Sequence, residues 1–388
     1  MANINVLNTH LKQMSIDTVR KNVRAMNPIL INGIGTVGSR IAHLLLSAHI
    51  PIHGVKFSAS KDDIKSQEIL ALYKSFGAFP LIAAQGDNLD QRTQQFKNLN
   101  LNVESHDLTT YSVVIDGTDG DVTKNNVNNY KKHNQKFLIQ GGSDPELTNK
   151  DFVSAPNSVS QHITNFPQAR QVSCNTTFGS TALGVVLNVI PANEIQSVEM
   201  ELHRRCRDPG EKKEMKESLE LKTSHHAEDV MSVLPQLHGK VTSKANVNAW
   251  EHFHHTQIII NFTKQVNANI ITNQFQSYPR CIVVNQKITE DARSGMNMLM
   301  DVSKKLNVTD ADTLLPIYSI HQVSDKSIMI RGFTPQRSII ALSCIDWIWS
   351  ATGKHATWQS AFDATNRSVK WHGHSIADLK KGFEEKLK

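Results

Sequence analysis

Pro28-Ile29-Leu30-Ile31-Asn32-Gly33-Ile34-Gly35-Thr36-Val37-Gly38, with the apolar stretch Ile41 to Ala48 behind it, decides how this chain is read. The first five residues are a short apolar run of strand type. A complete G-x-G-x-x-G follows, and the pattern then becomes helical. Strand, tight turn and helix in that order are the context in which the glycines carry meaning. Gly33 allows the turn, Gly35 lets backbone approach a pyrophosphate, and Gly38 permits close packing of helix on strand. The helix N-terminus offers free N–H groups to the phosphates. A dinucleotide-binding unit is the expectation, with Gly33, Gly35, Thr36, Val37 and Gly38 around the cofactor.

The next strand, Ile52-His53-Gly54-Val55-Lys56-Phe57, should end beside the adenosine ribose. An acidic residue there would bind the 2′-hydroxyl of NAD. The tip instead reads Lys56-Phe57-Ser58-Ala59-Ser60-Lys61. A carboxylate would repel a 2′-phosphate, whereas Lys56 and Ser58 can hold one, so NADP is favoured and NAD remains possible. A solvated basic loop fits the same residues. Further on, Ser112 to Gly117 and Lys136 to Gly142 read as buried strands flanking the Asn- and Lys-rich 124–136 segment. Ligands of open parallel sheets lie at the carboxyl ends of such strands, which brings Gly141 and Gly142 towards the cofactor.

At 388 residues the chain is long enough for two domains, each with its own core. No apolar run approaches the roughly 20 residues of a membrane span, and the start lacks the apolar segment of a signal peptide. The four cysteines, Cys174, Cys206, Cys281 and Cys344, show no C-x-x-C spacing, which suggests a reducing compartment and a cytoplasmic location. The net charge of +6 is modest, and no nucleic-acid-binding module is recognisable. Residues 1–27 precede the first strand. Within them Ile16, Val19, Val23 and Met26 recur at helical spacing, as in a short amphipathic helix packed on the body or on a partner; a transit peptide is the other reading.

Ser173-Cys174-Asn175-Thr176-Thr177 is the second informative stretch. These small, hydroxylated residues open the apolar helix Gly179 to Leu187. Cys174 therefore falls at a helix N-terminus, where partial positive charge favours a thiolate. Together with the glycine turn it suggests a dinucleotide beside a thiol nucleophile.

In order, these segments resemble the archaeal-type (class II) phosphorylating glyceraldehyde-3-phosphate dehydrogenases. The resemblance runs through Ile31 to Gly38, Ile139-Gln140-Gly141-Gly142, Val172 to Thr177, and His203-Arg204-Arg205-Cys206-Arg207-Asp208-Pro209. It continues through Ser224-His225-His226-Ala227-Glu228-Asp229 to Pro235 and into the histidine cluster before Thr256. It implies that Cys174 attacks the aldehyde of glyceraldehyde 3-phosphate, that hydride passes to NAD(P), and that inorganic phosphate releases 1,3-bisphosphoglycerate from a thioester, or the reverse. The family base is a histidine after the His-His motif. Anchoring on Thr256 and Ile258-Ile259-Ile260 selects His255; an ungapped alignment selects His254; His255 is the narrow preference. Being neighbours on a strand, the two point to opposite faces.

The same resemblance places Ser173, Asn175 and Thr176 around the nucleophile, His225 and His226 on the substrate, and Arg204 or Arg205 near the phosphates or the nicotinamide side. Thr36, Val37 and Gly141 would touch the cofactor. Two segments compete for the family's cofactor-proximal glutamine, His321-Gln322-Val323-Ser324 and Pro335-Gln336-Arg337-Ser338; the longer match selects Gln336. A homotetramer is implied as well. The chain departs from the family between Pro209 and Ser224, where a charged Glu211 to Glu217 run replaces a Pro- and Asn-rich loop. That departure leaves a related semialdehyde or acyl-phosphate dehydrogenase, or a non-catalytic dehydrogenase-fold protein that binds nucleotide or a macromolecular partner, as alternatives.

Five histidines, His225, His226, His252, His254 and His255, also invite a metal reading, but no cysteine or carboxylate stands at a familiar zinc spacing beside them; no metal is expected. The expected fold is α/β. A Rossmann dinucleotide-binding domain spans 28–172 and is completed by 337–388; an α+β catalytic domain with a mainly antiparallel sheet spans 173–336. Trp347-Ile348-Trp349 would begin a last apolar helix returning to the first domain.

Overall fold

The computed structural model describes residues 27–84, 88–118, 120–140, 145–207, 214, 216–250, 253–284, 292–308, 314–335 and 339–387. The expected helix within residues 1–27, together with His252, Gly141, Gly142 and Gln336, lies outside the described residues.

The first sheet is wholly parallel. Its strands are β1 (Ile29–Asn32), β2 (Ile52–Lys56), β3 (Leu81–Ala83), β4 (Val113–Asp116), β5 (Lys136–Ile139), β6 (Asp151–Phe152) and β7 (Gln168–Gln171), in the spatial order β3-β2-β1-β4-β5-β7-β6. This is a doubly wound order with its switch between β1 and β4. Helices cover both faces, so β1 is buried along its whole length rather than alternating. Ile29 and Ile31 join Ile41, Leu44 and Leu45 of α1 (Thr36–Ser47) in one core, while Leu30 packs with Val127 and Tyr130 of α4 (Gly120–Lys132) in another. The polar 124–136 segment thus folds as a helix because Thr123, Val127 and Tyr130 form one buried stripe. Helices α2 (Ile64–Phe76) and α3 (Leu89–Asn98) connect the strands on the β2 side.

The second sheet is mixed and mainly antiparallel. It comprises β8 (Ile195–Arg205), β9 (Ser218–Thr223), β10 (Val241–Asn248), β11 (Phe253–Phe262), β12 (Cys281–Val283), β13 (Leu315–Ser324) and β14 (Ser327–Pro335) in the order β12-β13-β14-β11-β8-β10-β9. Helix α5 (Cys174–Leu187) lies on the face formed by Met200, Leu202, Ile258, Ile260 and Ile330. It sits very close: a Cβ on Gly179 would come within 2.5 Å of Met200 Cε, and one on Gly184 within 2.2 Å of the Pro156 carbonyl oxygen. Helices α6 (His226–Val233) and α7 (Ala268–Ser277) pack beside it, and α8 (Ala292–Lys305) follows β12.

After β14 the chain returns to the first sheet. Helix α9 (Ala341–Ala351) packs on α1 and on α10 (Trp358–Ser368), and the chain closes with a small hairpin and α11 (Ile376–Lys386). The expected start of this returning helix at Trp347 is corrected: it begins at Ala341, because the apolar stretch opens at Ile339 and is buried from there, and two more helices follow. Where the parts meet, Arg280, just before β12, forms a bidentate pair with Asp346 of α9, at 2.7 and 2.9 Å, and both side chains are buried. Ser154 donates to the same carboxylate, and Arg280 Nε donates to Asn366 at 2.8 Å.

Candidate active site

At the end of β1, Gly33 takes a φ of 89°, which an L side chain rarely adopts, and its carbonyl lies 2.5 Å from where a Cβ on Gly38 would stand. Gly35 caps α1 with no side-chain hydrogen bond, and the first turn carries no acidic residue. The N–H groups of that turn are left for an anion. Space above Gly35 is open, the nearest atom to a Cβ there being Lys65 Cδ at 3.8 Å. This cradle fits a dinucleotide pyrophosphate. Gly38→Ala is expected to force helix from strand, weakening nicotinamide-dinucleotide binding by about tenfold or more; unchanged affinity by fluorescence titration would refute the cradle.

The C-terminal ends of neighbouring strands hold a network that sequence reading passed over. Asp116 accepts from Thr118 N (2.8 Å), Thr118 Oγ1 (2.6 Å), Asn126 (3.0 Å) and Tyr130 (2.7 Å), while Asn32 donates to Tyr130 at 2.6 Å. It stiffens the turns on either side of the switch point, where Gly117 lies against Gly33. Nearby, Gln140 is buried with its Nε2 unpartnered. The clue was present as an Asp ending an apolar strand before Gly117.

At the β2 tip, Lys56 turns inward. It is buried and pairs with Asp63 at 3.1 Å, and Asp63 in turn caps α2. Ser58 is exposed, and Phe57, 65 % exposed, carries the Arg92 guanidinium 4.1 Å from its ring centroid.

The nucleophile's surroundings are assembled by four elements. Ser173 is the N-cap of α5, its Oγ accepting from Thr176 N at 3.3 Å, so Cys174 is the first helical residue. The expected depression of its pKa is corrected: burial of the sulfur pushes the pKa up, outweighing the pull of Arg205, of the Asn175 N–H and of Arg204. Asn175 beside Cys174 is buried with Oδ1 unpartnered. Thr176 Oγ1 donates to Asp229 at 3.5 Å, and Asp229 also accepts from Arg170 of β7 at 2.8 Å and faces His225 Nε2 at 3.6 Å. Arg170 is held from its other side by Asp151 at 2.7 Å. One carboxylate thereby sets the start of α5 beside the start of α6. Its role was unread, although Asp229 lies in the quoted His-His motif.

Helix α6 begins at His226, which is buried and stacked on the exposed His225 with ring centroids 4.4 Å apart. Burial first, then His225 and Arg204, hold the His226 pKa down at about 3. Arg204 is exposed near the end of β8; Arg205 is buried, with Nη1 donating to the Arg207 carbonyl at 3.1 Å and its backbone N–H to His254 Nδ1 at 2.9 Å. His254 is buried, and burial, Arg205, Arg204 and His226 all keep it neutral.

The preference for His255 is corrected. On β11, residues 254, 256, 258 and 260 share a face. Thr256 pairs with Leu202 and Ile258 with Met200, the residue against Gly179 of α5. His254 therefore shares the α5 face. His255 points the other way, hydrogen-bonded to Tyr318 Oη at 2.7 Å and stacked on His203 at 5.2 Å. His321 and Gln322 sit towards the hairpin end of β13, far along the sheet from Pro335, which pairs with Phe253 at the site end. Among the described residues, no group of His, Cys, Asp and Glu is arranged to hold a metal ion, and no helix is long and apolar enough to cross a membrane.

No family model matches the chain. Among curated proteins it is similar to the glyceraldehyde-3-phosphate dehydrogenases of Methanococcus vannielii (27 % identical, covering 76 % of this chain and 89 % of that protein), Methanocaldococcus jannaschii (25 %, covering 88 % and 98 %) and Aeropyrum pernix (26 %, covering 87 % and 96 %).

Proposed function

We propose that this chain, a distant relative of archaeal glyceraldehyde-3-phosphate dehydrogenases along most of its length, is itself such an oxidoreductase and works by the phosphorylating, cysteine-dependent route. The observation that carries the reading is the meeting at one place of a thiol at a helix start, two buried neutral histidines and two arginines, in a chain whose first strand ends in an uncapped glycine turn. A bound nicotinamide dinucleotide would supply the hydride acceptor, held by Gly33, Gly35, Thr36, Val37 and Gly38, with Gly141, Gln336 and Arg205 as further proposed contacts.

In this mechanism Cys174 loses its proton, adds to the aldehyde carbon and forms a hemithioacetal. Oxidation of that carbon leaves a thioester on Cys174. Inorganic phosphate then adds to the thioester carbonyl and expels the thiolate, giving the acyl phosphate. Arg204, exposed beside the site, and His225, held by Asp229, suit a phosphorylated substrate, and Asn175 has a free acceptor next to the nucleophile. NADP is the favoured cofactor. At the β2 tip the Asp63 carboxylate is engaged with Lys56 and Ser66, and because Lys56 is held there the 2′-phosphate contact falls to Ser58. A Rossmann domain over 28–172 completed by 337–388, a catalytic domain over 173–336, a homotetramer and a cytoplasmic location belong to the same reading.

The test is nicotinamide reduction with glyceraldehyde 3-phosphate, run with and without phosphate and with NADP and NAD in parallel. Phosphate-dependent reduction, faster with NADP, is expected. Absence of reduction with either cofactor, in protein shown to bind nucleotide, would overturn the reading.

A further inference from the structure

We infer that Lys65, in the first turn of α2, is the residue that reads the 2′-phosphate of NADP, and that Lys56 serves it by holding Asp63 in place. This rests on the dinucleotide reading proposed above and names the charge that gives it a preference.

A short chain of contacts carries Lys65 to the cradle. Asp63 is the N-cap of α2, its carboxylate accepting from Lys65 N and Ser66 N, both at 3.2 Å, and from Ser66 Oγ at 2.8 Å. Lys56, buried at the end of β2, donates to the same carboxylate at 3.1 Å. The first turn of α2 is therefore tied to the strand tip through one capping side chain. From that turn the Lys65 stem reaches back over the glycine turn, where its Cδ is the nearest atom to the place a Cβ on Gly35 would take, at 3.8 Å.

The glycine turn and the β2 tip form one surface, because Gly33 N and Ile34 N both donate to the Val55 carbonyl, at 3.1 and 2.9 Å. In a dinucleotide laid across such a surface, the pyrophosphate takes the N–H groups of the first helix and the adenosine ribose lies at the end of the second strand. A 2′-phosphate on that ribose meets the segment joining β2 to α2, which carries Ser58 and ends at Lys65.

The charges around this spot favour Lys65 for the contact. Burial lowers the pKa of Lys56 against the pull of Asp63, and the positive charge of Lys65 lowers it further, so the Lys65 ammonium stands within electrostatic reach of the β2 tip. Lys65 is exposed, and its ammonium has no hydrogen-bond or ion-pair partner among the described residues. Nearby carboxylates are engaged: Asp63 with Lys56, and Glu68 with Arg40 at 3.2 Å and Ser39 at 2.7 Å. Asp62 and Lys61 are exposed on the connection, where water screens them. Arg92 stands on the β3 side of the tip, its Nη1 donating to the Ala84 carbonyl at 2.9 Å. A phosphate brought to Ser58 thus meets an ammonium already over the cradle, whereas the 2′-hydroxyl of NAD offers that ammonium no charge.

The test is nucleotide affinity of the full chain, by fluorescence titration with NADP and with NAD and no aldehyde present. Lys65→Ala should weaken NADP binding by about tenfold or more and leave NAD binding within about twofold. Lys56→Met alone releases the Asp63 carboxylate beside the phosphate and should cost about fivefold in NADP affinity with NAD spared. Adding Asp63→Ser, which keeps a capping hydroxyl for α2, should restore the preference although Lys56 is gone. Melting of each variant checks that the fold is intact. Equal weakening of NADP and NAD by Lys65→Ala would put Lys65 on the pyrophosphate and overturn the inference. So would an NADP-specific loss in Arg92→Ala, or in the double variant, with Lys65→Ala unaffected. A parent that binds NAD as tightly as NADP overturns it while leaving the dehydrogenase reading intact; a parent that binds neither removes that reading as well.

Discussion

Cys174→Ala should reduce turnover of glyceraldehyde 3-phosphate by at least about 10³-fold while leaving cofactor affinity within about twofold. The size follows from the route: without the thiol there is no hemithioacetal, no thioester and nothing for phosphate to attack. Stability should change by less than about 1 kcal/mol, because only a sulfur is removed and the Ser173 cap, which sets the helix start, is untouched. Steady-state kinetics, nucleotide titration and thermal melting on one preparation separate these claims. Residual activity above about 1 % would mean that the carbon is oxidised without covalent attachment and would remove the reason for a thiol at this helix start.

Asp346→Ala should be the most destabilising single change outside the site, by about 3–5 kcal/mol. The variant strands the Arg280 guanidinium in the interior, together with Ser154, which now donates to the carboxylate. Arg280→Met with Asp346→Leu should recover most of that loss, since buried ion pairs are costly mainly when half removed. Denaturant midpoints report both. Activity should fall as well in the single variant, because α9 also carries Ser343, which donates to Gln171 at 2.7 Å, and Gln171 reaches Thr177 of α5 at 3.2 Å. A single variant within about 1 kcal/mol of the parent would show that the pair does not hold the C-terminal return in place.

Part of the first sheet was legible because it is local: short apolar runs gave β1, β2 and β4 within about a residue and the start of β5, whereas β3, β6, β7, α2 and α3 were not read. The returning helix was misjudged because its start has no side-chain cap to mark it and its apolar residues run on from Ile339. Neighbouring histidines on a strand could be seen to oppose each other. Which of them faced the nucleophile could not, because the answer depends on the pairing of β11 with β8, some fifty residues apart in the chain, and on where α5 lies. The thiol was misread for a related reason. A helix start is visible in sequence, but the burial that outweighs it arises only in the folded chain. Asp116 and Asp229 stood in quoted motifs, yet their partners, Tyr130, Arg170 and Thr176, arrive from other elements.

Gly179 and Gly184 bear on how this protein can change. Five residues apart, they seat α5 between the flexible end of Met200 on the second sheet and the Pro156 carbonyl, where backbone leaves no room for a methyl group on Gly184. The span between them is about 7.5 Å of helix, and the rigid seat is the one against backbone at Gly184, which holds the helix from sliding. Cys174 is thereby a fixed datum. Drift in the surrounding sequence can reshape what is brought to the sulfur, through the end of β8 and the side chains of α6, but the sulfur does not travel to meet a new substrate. A search for altered specificity therefore belongs in those flanking stretches, and libraries aimed at α5 itself should return mostly unfolded chains.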